Sequence, residues 1–349
     1  MMHRVPERVS VLANHLQQDQ DLGGGGSSSD VSHLEASAPQ SAVCSDLREF
    51  SLHLTLFLAN DGTDCRLRCA RHVAHKLQEM AKEIPLLTAV GFSNDVWMDV
   101  QQYVGVEIPP FPYWTRLGPL GDMPATGGDV FVHAKSDVYW HLVELTKQLL
   151  ESLPEEAVQS VEDIYAFTYK DHRDLSGHID GTANPTTVEE RQHEVLDPYG
   201  GSFLLGQRWV HNFSVLRKLT DEQEERYVGR TKPDSSELDP MPETAHVTRM
   251  EIFYQDGPRA GQEIQVYRQS APYGSFGAGA GLYFMQYSSS PDIHNLLLDR
   301  MTGQDTPDRI HNDIMRFTVC KTGNLWYVPS VEHLQKVASP IAAANSVER

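Results

Sequence analysis

Apolar residues recur along this chain at two alternating spacings, one typical of strands and one typical of helices. Residues 51–58 read SLHLTLFL, and such alternation of apolar and polar side chains predicts a strand with one buried face. Residues 64–84 place apolar side chains at helical spacing, on one face made of Leu67, Ala70, Val73, Leu77 and Met80. The alternation of the two patterns predicts an α+β fold.

A similar order of elements recurs in the second half. Strands are predicted at residues 51–58, 86–93, 129–136, 164–170, 200–213, 247–254 and 281–290, and further helices at residues 136–153, 291–301 and 308–317. In each half, a strand that ends in serine runs directly into an amphipathic helix. This recurrence predicts two related α+β units folded against each other.

Composition divides the chain further. Residues 19–45 contain the run GGGGSSS and then small and polar side chains, which cannot offset their ordering entropy by burial. We therefore expect a flexible N-terminal segment at residues 1–45, an N-terminal unit at 46–165, a C-terminal unit at 166–335 and a tail at 336–349.

Charge and cysteine content disfavour several classes of protein. The 48 acidic and 29 basic residues give a formal net charge of −19, which argues against nucleic acid and anionic membranes as partners. The four cysteines are too few and too irregularly spaced for a secreted disulfide framework. No run of about 18 apolar residues and no signal-peptide core occurs. We expect a cytoplasmic protein with reduced thiols.

One tetrapeptide suggests a kinase. Residues 172–175 read HRDL, the start of a protein-kinase catalytic loop, which needs an asparagine five residues after the aspartate to hold magnesium. That position is Ile179 here, and no glycine-rich nucleotide loop accompanies it. The kinase interpretation therefore fails. It leaves a Gly-x-x-Asp-Gly core surrounded by two acids and two histidines, Asp174, Asp180, His172 and His178.

Three polar positions in apolar surroundings are the candidates for chemistry: Asp180, His246 and Arg268. Each also has a purely structural interpretation. An aspartate between glycines commonly forms a turn, a histidine at a strand start is commonly on the surface or in the core, and a strand arginine commonly faces solvent. None of the three is persuasive alone, so the surrounding motifs have to decide.

The stretch GHIDGTANP at 177–185 resembles the Gly-x-x-Asp-Gly-Thr-x-Asn-Pro signature of the dye-decolourising peroxidases. Further matching motifs follow in family order: GRTK (229–232), HVTR (246–249), RQSAPYG (268–274), GLYF (281–284), FT (317–318) and TG (322–323). These motifs span about residues 165–330, and the N-terminal half matches only in its pattern of elements. The chain is most similar to the bacterial-type class B subgroup.

The resemblance implies two ferredoxin-like units packed as a dimeric α/β-barrel-type fold, with one haem b in the C-terminal half. His246 takes the place of the proximal iron ligand, and Asp180 and Arg268 take the places of the distal pair above the iron. Arg230 is the candidate partner of a haem propionate, because a guanidinium suits a carboxylate. The other expected haem contacts are Ser270, Phe284 and Asp313.

The implied reaction reduces hydrogen peroxide and oxidises a dye, a phenol or another small one-electron donor. Peroxide must lose a proton as it binds and regain it on the outer oxygen as the O–O bond breaks, so Asp180 is assigned as the acid–base. Arg268 would stabilise the negative charge on the leaving oxygen. We expect activity to favour acidic pH, and we expect a homo-oligomer, a dimer or larger.

Three positions depart from the family pattern. Ser270 stands where some class B members have asparagine, and His178 stands where phenylalanine is common. The carboxylate that would accept a hydrogen bond from the proximal histidine falls in register at Asn312, with Asp313 next to it. We predict that Asp313 is the partner and that His178 faces outward.

Two other functions stay open. A haem-handling protein, which stores or transfers haem or releases its iron, would present the same pocket. A metal-dependent hydrolase could instead use His172, Asp174, His178 and Asp180 as ligands for zinc or manganese.

Overall fold

The computed structural model describes residues 37–59 and 63–339. Most of the predicted flexible segment, at residues 1–36, and most of the predicted tail, at 340–349, lie outside the described residues, as do residues 60–62. Within the described ranges, no helix is long and apolar enough to cross a membrane.

Strands and helices alternate along the described residues. The strands are β1 Phe50–Leu58, β2 Leu87–Ser93, β3 Val130–Ser136, β4 Val158–Phe167, β5 Ser202–His211, β6 Tyr267–Arg268, β7 Ala271–Ser275, β8 Gly279–Ser288 and β9 Thr318–Val328. The helices are α1 Thr63–Glu83, α2 Asn94–Val104, α3 Tyr139–Ser152, α4 Val188–Val195, α5 Phe213–Leu216, α6 Asp221–Val228, α7 His246–Met250, α8 Pro291–Thr302 and α9 Val331–Ala338, with 3₁₀ turns at Glu155–Ala157 and Asp313–Arg316.

The strands close into a ring of two ferredoxin-like units. The first unit has the order β4-β1-β3-β2 and the second has β9-β5-β8-β7, the order that a βαββαβ unit produces. Antiparallel pairs β2–β9 and β4–β7 join the units at two short seams. The β5–β8 pairing completes the circle, so the predicted α+β fold of two ferredoxin-like units is confirmed.

Side chains alternate between the inside and the outside of this ring. The inside holds a compact aromatic core that includes Phe131, Tyr283, Tyr287 and Trp326. The outer faces of the strands contribute to a second core, which also holds the buried sides of α1 to α3. On β8, Tyr283 belongs to the inner core whereas Phe284 packs against the outer one. The candidate site lies on this outer face of the second unit.

Residues 37–45 belong to the folded body, although their composition suggested a flexible segment. Ala42 and Val43 are buried, and the Gln40 amide donates to the carbonyls of Val90 and Pro329 at 3.0 and 2.8 Å. The ammonium of Lys135 donates to the carbonyls of Ser45 and Asp46. These partners are far away in sequence, so local composition could not indicate them.

Two predicted elements are wrong. Residues 247–254 were expected to be extended, but His246–Met250 forms the short helix α7. The Arg300 guanidinium donates to the carbonyls of Arg249 and Thr248 and so satisfies the end of this helix from α8. The helix predicted at 308–317 is only a 3₁₀ turn, Asp313–Arg316.

Candidate active site

A small hairpin carries Asp180. Arg173 and Ile179 pair as an antiparallel bridge, and the Asp180 amide donates to the His172 carbonyl at 2.9 Å. The turn uses Gly177, whose φ of +100° lies in the left-handed region that favours glycine. Arg173 fixes the hairpin from its other side, because its guanidinium donates to the carbonyls of Gly177, Lys232 and Pro233.

Asn184 joins this loop to Arg268. Its side-chain oxygen accepts from the Arg268 amide at 3.0 Å, and its side-chain nitrogen donates to the Arg268 carbonyl at 2.8 Å. These two hydrogen bonds fix both the position and the orientation of the Arg268 backbone. The Arg268 guanidinium itself has no hydrogen bond or ion pair among the described residues, so its donors are available to a ligand.

Ser270 occupies an interruption between β6 and β7, which pair with successive parts of β8. The Met285 amide donates to Ser270 Oγ at 3.2 Å, so the hydroxyl replaces a backbone acceptor at the interruption. Ser270 therefore helps to set the path of the strand that carries Arg268, and it also lines the same depression as Asp180 and Arg268.

His246 is the first residue of α7, and close packing positions that helix. Gly229 ends α6 with a φ of +96°, and a Cβ there would lie 2.8 Å from Met241 Sδ and 3.1 Å from Val247 Cβ. Only glycine therefore allows α6 to end this close to α7. The Thr244 carbonyl, just before α7, accepts from the Asp313 amide at 2.9 Å.

The hydrogen-bond partner of His246 is Asn312, and the prediction of Asp313 is wrong. Asn312 Nδ2 lies 3.0 Å from His246 Nδ1. The Asp313 carboxylate instead accepts from the Thr244 hydroxyl at 2.5 Å and from Arg316 Nε at 2.6 Å. Its side chain is committed to the loop before α7, so it acts on the position of His246 only indirectly.

Electrostatics connect the three candidate side chains. Burial raises the pKa of Asp180 above its ordinary value, and the Arg268 guanidinium opposes this rise. Burial, with a smaller contribution from the Arg268 charge, lowers the pKa of His246 to about 4. The charge of Arg268 thus lowers the pKa of both Asp180 and His246. His246 Nε2 has no hydrogen-bond partner among the described residues, so a neutral imidazole presents a free nitrogen.

Apolar side chains lie near these polar groups. Phe284, Met250 and Ile314 are only partly buried although they pack against the outer core. Leu282, two residues before Phe284 on β8, lines the depression that also contains Asp180 and Arg268. Met250 shares α7 with His246, and Ile314 lies in the turn that follows Asn312. Partly buried apolar side chains thus accompany the imidazole, and Leu282 accompanies the carboxylate and the guanidinium.

Arg230 follows Gly229, the residue that ends α6. Its guanidinium donates to the Ser235 carbonyl at 3.1 Å and to Glu237 Oε1 at 2.5 Å. The Glu237 side chain is largely exposed, so this ion pair is one that a stronger anionic ligand can replace.

We had predicted that His178 faces outward, but its side chain is buried. It is 6% exposed, and neither ring nitrogen has a hydrogen-bond partner within the described part of the chain. Burial first, and then the charge of Lys232, lower its pKa to about 4, so the ring is neutral near pH 7. In the described chain, no three or more His, Cys, Asp or Glu side chains are grouped to hold a metal ion, which removes support for the hydrolase hypothesis.

Sequence reasoning missed two features of the site. Asn184 was noticed only as a motif letter, whereas its amide holds the Arg268 backbone. The pair formed by Asp174 and His211 was also missed, because the two residues are 37 positions apart. An alternating strand with a histidine at its end, as in β5, gives no local signal for such a partner.

Comparison with known proteins is consistent with this geometry. Residues 171–333 match the family model described as Dyp-type peroxidase, C-terminal. The dye-decolorizing peroxidase of Mycobacterium tuberculosis is 29% identical over 290 residues, covering 77% of this chain and 82% of the relative. That of Mycolicibacterium paratuberculosis is 30% identical over 266 residues, covering 74% and 72%.

Solved structures of dye-decolorizing proteins share the fold of this chain. DyPB from Rhodococcus jostii RHA1 superposes with a TM-score of 0.75 at 29% identity, over 86% of this chain and 98% of that one. A dye-decolorizing protein from V. cholerae gives a TM-score of 0.74 at 27% identity, over 85% and 98%. A variant of the Rhodococcus protein was solved in complex with heme.

Proposed function

Because the chain belongs to the dye-decolourising peroxidase family, we propose that His246, Asp180 and Arg268 carry its peroxidase reaction. The family membership makes the protein an oxidoreductase that acts on hydrogen peroxide with haem as cofactor. The residue roles are our proposal. The observation that carries it is the depression that Asp180 and the unpaired guanidinium of Arg268 line together, with the Arg268 charge also acting on His246.

The residues present fit a haem group. A neutral imidazole with a free Nε2 suits an iron ligand. The partly buried Phe284, Met250 and Ile314 offer apolar surface to a porphyrin. Arg230, with its exposed carboxylate partner, is available to a propionate. When bound, the haem would supply the two electrons that reduce the peroxide, which Asp180, Arg268 and His246 do not provide.

The side chains would divide the proton and charge chemistry. Asp180 Oδ1 accepts from the Gly181 amide at 2.7 Å, which orients the carboxylate. The ionised carboxylate takes the proton from the inner peroxide oxygen and returns it to the outer oxygen as the O–O bond breaks. The unpaired donors of Arg268 stabilise the negative charge on that leaving oxygen. Asn184 holds Arg268 in place, so little reorganisation is needed.

An absorption spectrum and a turnover assay test the proposal together. We expect the purified, haem-loaded protein to show a Soret band that one equivalent of hydrogen peroxide shifts and that a phenol or dye restores. Repeated turnover of the donor should accompany this cycle. Haem that peroxide merely bleaches, with release of haem or iron and no donor oxidation, would instead favour the haem-handling alternative.

The pH dependence of the peroxide step should follow Asp180. Because burial raises the pKa of this carboxyl above 3.8, it takes up a proton at a higher pH than an ordinary aspartate. The protonated form cannot accept the peroxide proton, so the rate constant should fall as pH decreases through the raised pKa. Stopped-flow measurement between about pH 3 and 8 checks this. A profile without an acid limb above 3.8 contradicts it.

Asn312 should set the donor strength of His246. A carboxylate partner makes a metal-bound imidazole more electron-donating than a neutral amide does. Asn312→Asp is therefore expected to lower the ferric-to-ferrous reduction potential by on the order of 60 mV, a tenfold change in that equilibrium. Spectroelectrochemical titration measures it, with Asn94→Asp, at the start of α2, as the control. An unchanged potential would mean that Asn312 does not contact the iron-bound ring.

A further inference from the structure

Asp174 and His211 form a largely buried pair beside the proposed site. The proposed reaction does not use this pair. His211 Nε2 lies 2.8 Å from Asp174 Oδ1, and His211 Nδ1 lies 2.8 Å from the Thr318 hydroxyl. The other oxygen of Asp174 accepts from the Ser176 amide at 2.9 Å. Because an ionised carboxylate only accepts hydrogen bonds, His211 Nε2 carries the hydrogen between the two.

The hairpin places this pair next to Asp180. The Asp174 amide donates to the His178 carbonyl and the Asp180 amide to the His172 carbonyl, both at 2.9 Å. These bonds flank the Arg173–Ile179 bridge and fix the two strands of the hairpin. Asp174, Asp180 and Arg268 line the same depression. A charge on Asp174 therefore acts on Asp180 within one partly water-excluded depression.

The pKa values of Asp174 and Asp180 shift in opposite directions. Burial alone would raise the pKa of Asp174, but the charge and hydrogen bond of His211, together with Ser176, lower it to about 2. Burial raises the pKa of Asp180, and the Asp174 charge adds to this rise. Arg268 from β6, the Gly181 amide and His172 from the hairpin oppose it. Such divergence between neighbouring carboxyls is typical of a pair with separate roles.

We propose that Asp174, held ionised by His211, is a positioning residue that keeps a negative charge beside Asp180 and so favours its proton-holding form. This inference rests on the proposed acid–base role of Asp180. An acid–base must release its proton to the outer oxygen as readily as it takes one from the inner oxygen. Arg268 alone would bias Asp180 towards the ionised form, and the Asp174 charge offsets that bias.

The test compares the pH profiles of matched variants of the haem-loaded protein. Asp174→Asn keeps the shape of the side chain but removes its charge, so the acid limb of the peroxide rate constant should move down by roughly half a pH unit. Asp174→Glu, which keeps the charge, should leave the limb near the wild-type position. Asp163→Asn removes an exposed charge from β4 and should not move the limb.

An infrared titration provides a readout that does not depend on turnover. The difference between wild type and Asp180→Asn isolates the carboxyl stretch of Asp180, and its midpoint should fall in Asp174→Asn by the same amount as the kinetic limb. If Asp174→Asn fails to fold or to bind haem, Asp174→Ser takes its place. That change also removes the charge of Asp174 while His211 is kept, so it should move the midpoint in the same direction.

The outcomes separate the two proposals. An unmoved limb and midpoint in a folded Asp174→Asn protein overturn this inference while leaving the role of Asp180 intact. A peroxide rate constant that Asp180→Asn does not change overturns the proposed acid–base role itself. If Asp163→Asn shifts the limb as much as Asp174→Asn does, the effect is only a change in overall charge, which also overturns the inference.

Discussion

His246→Ala is expected to leave the protein without stably bound haem. The imidazole is the neutral nitrogen donor at the site, and its loss removes the proposed iron ligand. Because removing even the partner of a metal ligand commonly costs 10- to 100-fold in affinity, losing the ligand should cost more than about 100-fold. The ratio of Soret to protein absorbance after gel filtration measures the loss.

Two controls make that result specific. Alanine is a good helix former, so α7 should persist in the variant, and thermal unfolding of the haem-free proteins should confirm an intact fold. His193→Ala, at an exposed position of α4, should bind haem like the wild type. Adding imidazole to His246→Ala should restore part of the Soret band. Full haem retention in His246→Ala would exclude this residue as the ligand.

Asp180→Asn is expected to bind haem but to react with hydrogen peroxide about 10² to 10⁴ times more slowly, the usual contribution of a positioned acid–base. Asparagine preserves the size of the side chain and can still accept from the Gly181 amide, so the hairpin should remain in place. It cannot accept the peroxide proton near neutral pH. The second-order rate constant of the Soret change in stopped flow measures the effect.

The matched control for this variant is Asp163→Asn. Asp163 is an exposed aspartate on β4. It removes the same formal charge at a position that solvent screens, so its rate constant should equal that of the wild type. A rate constant for Asp180→Asn within a few-fold of the wild type would show that another group, or water, moves the proton. Arg268 would then be the remaining candidate for the distal chemistry.

The success and failure of the sequence predictions have a common physical basis. The strands and the long helices follow from period-2 and period-3.6 patterns, which depend on neighbouring residues only. The helix α7 was missed because its carbonyls are satisfied by Arg300, about 50 positions away. The buried position of residues 37–45 was missed for the same reason, since Gln40 bonds to Pro329.

Within the candidate site, the motifs indicated Asp180, His246 and Arg268 without any coordinates. They could not indicate how these residues are held. Asn184 acts on Arg268 from 84 positions away, and Asn312 acts on His246 from 66 positions away. The choice between Asn312 and its neighbour Asp313 turned on side-chain direction, which register along the sequence does not specify.

The sequence by itself thus determined the α+β class, the strands and long helices with a clear period, and the chemical groups of the site. Only the tertiary structure decided the closure of the ring, the partner of His246 and the pairing of Asp174 with His211. Periodicity and motifs are properties of residues close together in the chain, and local backbone geometry expresses them directly. Partners distant in sequence meet only when the strands have paired and packed, because burial of the common core brings them together.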